Sequence, residues 1–153
     1  NHLLRALDAH STGKMTINSA LRTVAQQYLV WRWAAAKHCG VQLATRPGDS
    51  NHEIGIALDI AEAKEWRPVL EGQDFRWLGA SDRVHFDYKG GDTPSHGGMN
   101  VLAFQILWNR NHPTDKIAGD GHYTPATEQR LKKAPPNGFP IGPTCAKEAH
   151  AKH

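Results

Sequence analysis

The chain has only two cysteines, Cys39 and Cys145, among 153 residues. They are too few and too far apart for a zinc knuckle. A single Cys39–Cys145 disulfide is the expectation for an exported protein, with two free thiols as the alternative. No apolar run approaches the roughly 18 residues needed to cross a bilayer, so no membrane span is expected. No lysine or arginine run is long enough to argue for nucleic acid. The formal charge of +3 fits ordinary surface charge or attraction to an anionic cell wall equally well. No signal peptide opens the chain, and a start at Asn1 is what a processed product would show, so export has to be inferred from the substrate. With 39% apolar and 22% charged residues, the composition is globular, and the length suits one ordinary domain with a small appendage.

Against these absences stand two segments rich in histidine and carboxylate. The first is Ser50-Asn51-His52-Glu53-Ile54-Gly55-Ile56-Ala57-Leu58-Asp59, and the second is Asp82-Arg83-Val84-His85-Phe86-Asp87. A catalytic zinc site takes three nitrogen or oxygen ligands and leaves its fourth position open. His52, Asp59 and His85 supply such a set for one Zn2+ ion. Fully extended, seven residues would carry His52 about 23 Å from Asp59, so the chain must bend between them. Gly55, which lacks a Cβ, is placed to allow that bend. After it Ile56, Leu58 and Ile60 alternate with Ala57 and Asp59, the period of a strand with one greasy face. His85 and Asp87 share one side of a second strand and Phe86 and Tyr88 the other, so two neighbouring strands can bring Asp59 and His85 together. Glu53 suggests the His-Glu-x-x-His helix of another zinc peptidase class, but position 56 is Ile56 and the motif fails. Asp82, three residues before His85, is the better general base, within reach of a water on the same metal.

The Ser-x-His-x-x-Gly-x-Ala-x-Asp pattern with a later acidic-x-x-His-aromatic resembles the zinc D-alanyl-D-alanine carboxypeptidases of the VanY type and the L-alanyl-D-glutamate endopeptidases. Upstream, Ser19-Ala20-Leu21-Arg22 with Gln27 looks like the Ser-x-x-Arg segment of that family, and the match runs from about Ile17 to Tyr88. The resemblance implies a secreted or wall-associated peptidase, periplasmic in some settings, acting on peptidoglycan stem peptides. It gives Arg22 the substrate carboxylate or the developing oxyanion, and adds Gln27 to the substrate side. A guanidinium is in any case well matched to a carboxylate, though Arg22 could instead bridge a neighbour. Ser50 reads as a cap or turn residue and as a substrate contact. Asp82 and Phe86, in place of the Glu and Trp usual in the carboxypeptidases, resemble the endopeptidases and leave the scissile bond open. The alternative is a zinc-stabilised wall-binding or signalling domain without turnover, since the hedgehog signalling domain resembles this fold.

The expected fold is α+β, a small, mostly antiparallel sheet carrying the zinc site and flanked by helices, with a helical C-terminal portion. Leu3, Leu4 and Leu7 suggest a first helix, and Met15, Ile17 and Ser19 a short strand. Val24, Tyr28, Trp31 and Ala35 form a helical stripe expected in the core, ending near Cys39-Gly40. Residues 62 to 74 read as a helix with Pro68 tolerable only near its first turn, before Phe75, Trp77 and Leu78 return the chain to the second metal segment. The catalytic domain is placed at residues 1–90. Residues 91–153 begin with a glycine-rich linker or loop. Val101, Phe104, Leu107 and Trp108 then mark a helix, and Thr124-Pro125 a helix start. Asp120-Gly121-His122-Tyr123-Thr124, with Phe104-Gln105 before it, resembles the core of small peptidoglycan-binding modules. Wall binding and scaffold support are equally open for it. His150 and His153 could chelate metal weakly from a tail. A monomer is expected, although the sequence does not fix the oligomeric state.

Overall fold

The computed structural model describes residues 2–10, 13–91 and 97–134. Cys145, His96, His150 and His153 lie outside the described residues, and with them the expected disulfide and the chelating tail. Cys39 is exposed. The elements are α1 (His2–Ala9), β1 (Ile17–Ser19), α2 (Val24–Ala36), β2 (Ala57–Ile60), α3 (Ala63–Glu71), β3 (Phe75–Trp77), β4 (His85–Tyr88), α4 (Met99–Asn111) and α5 (Pro125–Leu131). The four strands pair antiparallel in the order β1-β2-β4-β3. The architecture is the α+β one that the sequence patterns predict.

Alternation along β2 and β4 divides the sheet chemically. Leu58 stands opposite Phe86 and Asp59 opposite His85. Leu58, Ile60 and Phe86 bury one face against Ala6 of α1 and Ala63, Trp66 and Leu70 of α3. Each large apolar side chain fully buried there contributes about 1.5–3 kcal/mol. Asp59, His85 and Asp87 belong to the other face, so the apolar core fixes the strands whose polar side carries the site.

A second cluster joins Val24 of α2 to Val101, Phe104 and Trp108 of α4 and Leu131 of α5, with Tyr28, Ile117 and Tyr123 packed against it. The segment 97–134 therefore packs onto the first half of the chain. Gly98 and Gly121, both at φ 76°, let two loops touch there. A Cβ on Gly98 would lie 2.9 Å from the Gly121 carbonyl oxygen. Buried Gln105 holds the second loop, its side-chain oxygen accepting from the Asp120 and Gly121 N–H groups at 3.1 and 2.9 Å. Thr124 caps α5 through its hydroxyl, which accepts from Thr127 N at 3.3 Å, as the Thr-Pro pair predicts.

Some expectations need correction. In α2 only Val24 and Gln27 are fully buried. Tyr28 and Trp31 are half-buried and Ala35 is exposed, because α4 covers just the N-terminal part of the stripe. The helix ends at Ala36, with Lys37 in the left-handed region at φ 53°. Helix α3 stops at Glu71, short of residue 74, since Asp74 at φ 64° turns the chain into β3. Pro68 sits inside that helix, beyond its first turn, on an exposed face. Leu107 is 44% exposed, as α4 buries Val101, Phe104 and Trp108 instead.

Candidate metal centre

Three elements deliver the three ligands. Asp59 comes from β2 and His85 from the directly opposed position of β4. His52 comes from a tight loop in which Gly55 N donates to the His52 carbonyl and Ile56 N to the Asn51 carbonyl, at 3.3 and 3.0 Å. Gly55 takes φ 77°, the left-handed conformation that glycine adopts without strain. This is the bend required between His52 and Asp59. The loop is tied down further by the Arg22 N–H, which donates to the His52 carbonyl at 3.1 Å.

The donor atoms converge. His85 Nδ1 lies 2.9 Å from Asp59 Oδ1, His52 Nε2 lies 3.3 Å from the same oxygen, and the two ring nitrogens are 3.2 Å apart. All three residues are buried. A tetrahedral ion with bonds of 2.0–2.2 Å separates its ligands by about 3.3–3.6 Å, so the cluster needs to open by only a few tenths of an ångström. The opposite edges of the rings decide the chemistry. His52 Nδ1 is 2.7 Å from the Ala20 carbonyl oxygen and His85 Nε2 is 2.9 Å from Asp87 Oδ1. Both of those partners can only accept, so each ring places its N–H outward and, when neutral, turns a bare lone pair inward. Two lone pairs and a carboxylate facing one another in a buried space call for a cation. His52, Asp59 and His85 can hold a metal ion.

Electrostatics agree with that arrangement. Burial alone would push the Asp59 carboxyl up, but hydrogen bonding with the two imidazoles and the charges of His52 and Arg22 hold it well below the usual range. Burial would likewise lower His85, yet its contacts with Asp59 and Asp87 raise it. These shifts belong to the metal-free site, where protons on the imidazoles supply the positive charge that a bound cation would supply in their place.

The chain was compared with family models, curated proteins and solved structures. Nothing matches.

Around the three ligands opens a cavity of about 810 Å³, whose lining includes Arg22, Gln27, Ser50 and Asp82. All seven residues singled out from sequence thus meet at one place. Arg22 bridges a neighbour, its Nη2 donating to Asp59 Oδ2 at 2.6 Å. Its Nε donates to Ser19 Oγ at 2.7 Å and its Nη1 to Gln27 Oε1 at 3.2 Å. Among the described residues three of its five N–H groups are engaged, which leaves two for a ligand. Gln27 is buried and also donates to the Thr45 carbonyl at 2.8 Å. Ser50 acts as a turn residue, its hydroxyl accepting from His52 N at 3.3 Å. Asp82 accepts through its backbone carbonyl from His85 N at 3.3 Å, which sets it at the mouth of β4.

Glu53 stays apart from the ligands. Its carboxylate is occupied by Gly48 N at 2.9 and 3.1 Å and Ser50 N at 3.3 Å, and burial raises its pKa against those hydrogen bonds. The Asn100 side chain of α4 donates to the Glu53 carbonyl, adjoining the metal loop to the C-terminal half. The sequence places Asp87 on the His85 side of β4 without giving it a role, and no spacing in it links Asn51 to that carboxylate, which the Asn51 side chain meets at 2.8 Å.

Proposed function

We propose that this protein is a zinc-dependent peptidase that hydrolyses peptidoglycan stem peptides, secreted or held at the cell wall. The observation that carries the reading is the convergence of two imidazole nitrogens and one carboxylate oxygen, buried and within 3.3 Å of one another, in a cavity that Asp82 and Arg22 also line. Two histidines and one carboxylate suit zinc with an exchangeable fourth position. Zinc bound there would supply Lewis acidity and make water acidic enough to lose a proton near neutrality.

The remaining work falls to this chain's own groups. Asp82 accepts the proton of the attacking water and returns it to the leaving amine, the two-way role of a carboxylate general base. Arg22 offers its two spare N–H groups to the substrate carboxylate or to the oxyanion that develops at the scissile carbonyl. Gln27 and Ser19 hold the guanidinium in place, and Ser50 keeps the His52 loop in shape while lining the substrate space. Asp82 resembles the endopeptidase pattern while Phe86 is enclosed in the apolar core away from the cavity, so both bonds, D-alanyl-D-alanine and L-alanyl-D-glutamate, stand as candidates for the cleavage.

Defined muropeptides incubated with the zinc-loaded protein, with and without chelator, test this reading. Chelator-sensitive cleavage is expected, and mass analysis of the products names the bond. A protein that holds one zinc per chain yet cuts none of these peptides would instead be a zinc-stabilised binding or signalling domain.

A further inference from the structure

We propose that Asp87 is the positioning residue of the metal centre, one carboxylate oxygen that holds the His85 ring directly and the His52 loop through the side chain of Asn51. This rests on the reading of His52, Asp59 and His85 as a metal site, and not on the peptidase reaction. Asp87 lies on β4 two residues beyond His85, opposite Ala57 of β2 and Arg76 of β3, with its side chain only 6% exposed. Its Oδ1 accepts from His85 Nε2 at 2.9 Å and from Asn51 Nδ2 at 2.8 Å. Its Oδ2 accepts from Lys89 Nζ at 3.1 Å.

Two consequences follow from that one oxygen. An ionised carboxylate has no proton to give, so His85 must carry its hydrogen on Nε2 and present Nδ1 to Asp59 and His52. The opposite tautomer would point an N–H into the ligand cluster and put a lone pair against Asp87. The second consequence concerns the loop. Asn51 immediately precedes His52, and its side-chain amide is anchored on the same oxygen while its carbonyl accepts from Ile56 N at 3.0 Å. The strand ligand and the loop ligand are thereby referred to a common point. Asp87 itself stands on the far edge of the His85 ring from Asp59, so it orients a ligand and does not serve as one.

Zinc titrated against a competing chelator, with the full chain and its variants, tests the assignment. Asp87→Ala is expected to weaken zinc binding about 10- to 100-fold, the usual cost of losing the partner of a ligating imidazole. Asp87→Asn should keep most of the affinity, because an amide oxygen can still accept from Nε2–H. Asn51→Ala should weaken binding without altering the His85 tautomer. Nitrogen-15 shifts of the metal-free protein, taken where imidazole is uncharged, read that tautomer directly. They should show Nε2–H in the wild type and in Asn51→Ala, and a mixture in Asp87→Ala. A loosened fold alone would not give this pattern. Wild-type affinity or an unchanged tautomer in Asp87→Ala would overturn the proposal, as would an Asp87→Asn variant as weak as Asp87→Ala. A wild-type protein that binds no zinc overturns the underlying site reading, while the tautomer measurement still decides what Asp87 does to His85.

Discussion

Replacing Gly55 by alanine isolates the contribution of one backbone torsion to the metal centre. At φ 77° an L-residue is strained, yet a Cβ there would meet nothing closer than Leu21 Cδ1 at 3.8 Å, so no steric collision adds to the cost. The left-handed conformation costs an alanine about 1–2 kcal/mol, and the stiffer unfolded chain returns about 0.4–1 kcal/mol. The expected net loss is therefore about 1 kcal/mol, or about 2–4 °C in midpoint for a chain of this length. Urea and thermal unfolding with chelator present measure it without any contribution from bound metal. Zinc titration then reports on the site. If the loop relieves its strain by opening, the bonds from Gly55 N and Ile56 N to the His52 and Asn51 carbonyls lengthen, and zinc affinity falls together with stability. Gly55→Asn should be milder in both assays, since asparagine visits this region more readily. A Gly55→Ala protein as stable as wild type and binding zinc equally well would refute the idea that this torsion sets the loop.

Other expectations are more direct. Zinc at 100 times its dissociation constant should stabilise the protein by about 2.7 kcal/mol, about 5–11 °C in a thermal scan, and His52→Ala should lose that shift. Asp82→Asn should retain zinc but lose about 10²- to 10⁴-fold in peptide hydrolysis, measured by product release from muropeptides. Gln105→Ala should cost about 1–3 kcal/mol by removing the buried amide that ties α4 to the loop at Asp120 and Gly121, as read by urea unfolding. Glu62 accepts from Thr16 N and Oγ1 at 2.7 and 2.8 Å, and these bonds hold its carboxyl below the ordinary 4.5. Its support is thus present above pH 4.5 and is lost as pH falls through the lower folded value, so Glu62→Gln should flatten the acid limb of a stability–pH curve.

The sequence was most legible where a period of two met a chemical requirement. Alternation around Leu58 and Phe86 implied the buried face of the sheet, and by difference the face of Asp59, His85 and Asp87. The need for a bend pointed to Gly55. Legibility failed where several faces of a helix are apolar. Residues 30–36 of α2 and 101–108 of α4 carry hydrophobic groups nearly all round, so sequence spacing could not say that Ala35 and Leu107 would face outward. Contacts that depend on rotamers, such as Arg22 on Asp59 or Asn51 on Asp87, leave no periodic trace. Pro68 was constrained by a general rule about helix interiors that an exposed, short helix can break.

The reach of Asn100 to the Glu53 carbonyl bears on how this molecule could be shortened. Together with Val24, enclosed by Val101, Phe104 and Trp108, it means that a polypeptide ending near residue 91 would keep every ligand and still be impaired. It would present an open apolar flank beside α2 and a histidine loop missing one of its ties. Loss of the C-terminal segment by proteolysis would therefore loosen the centre and invite aggregation, instead of releasing a smaller protein with its site intact.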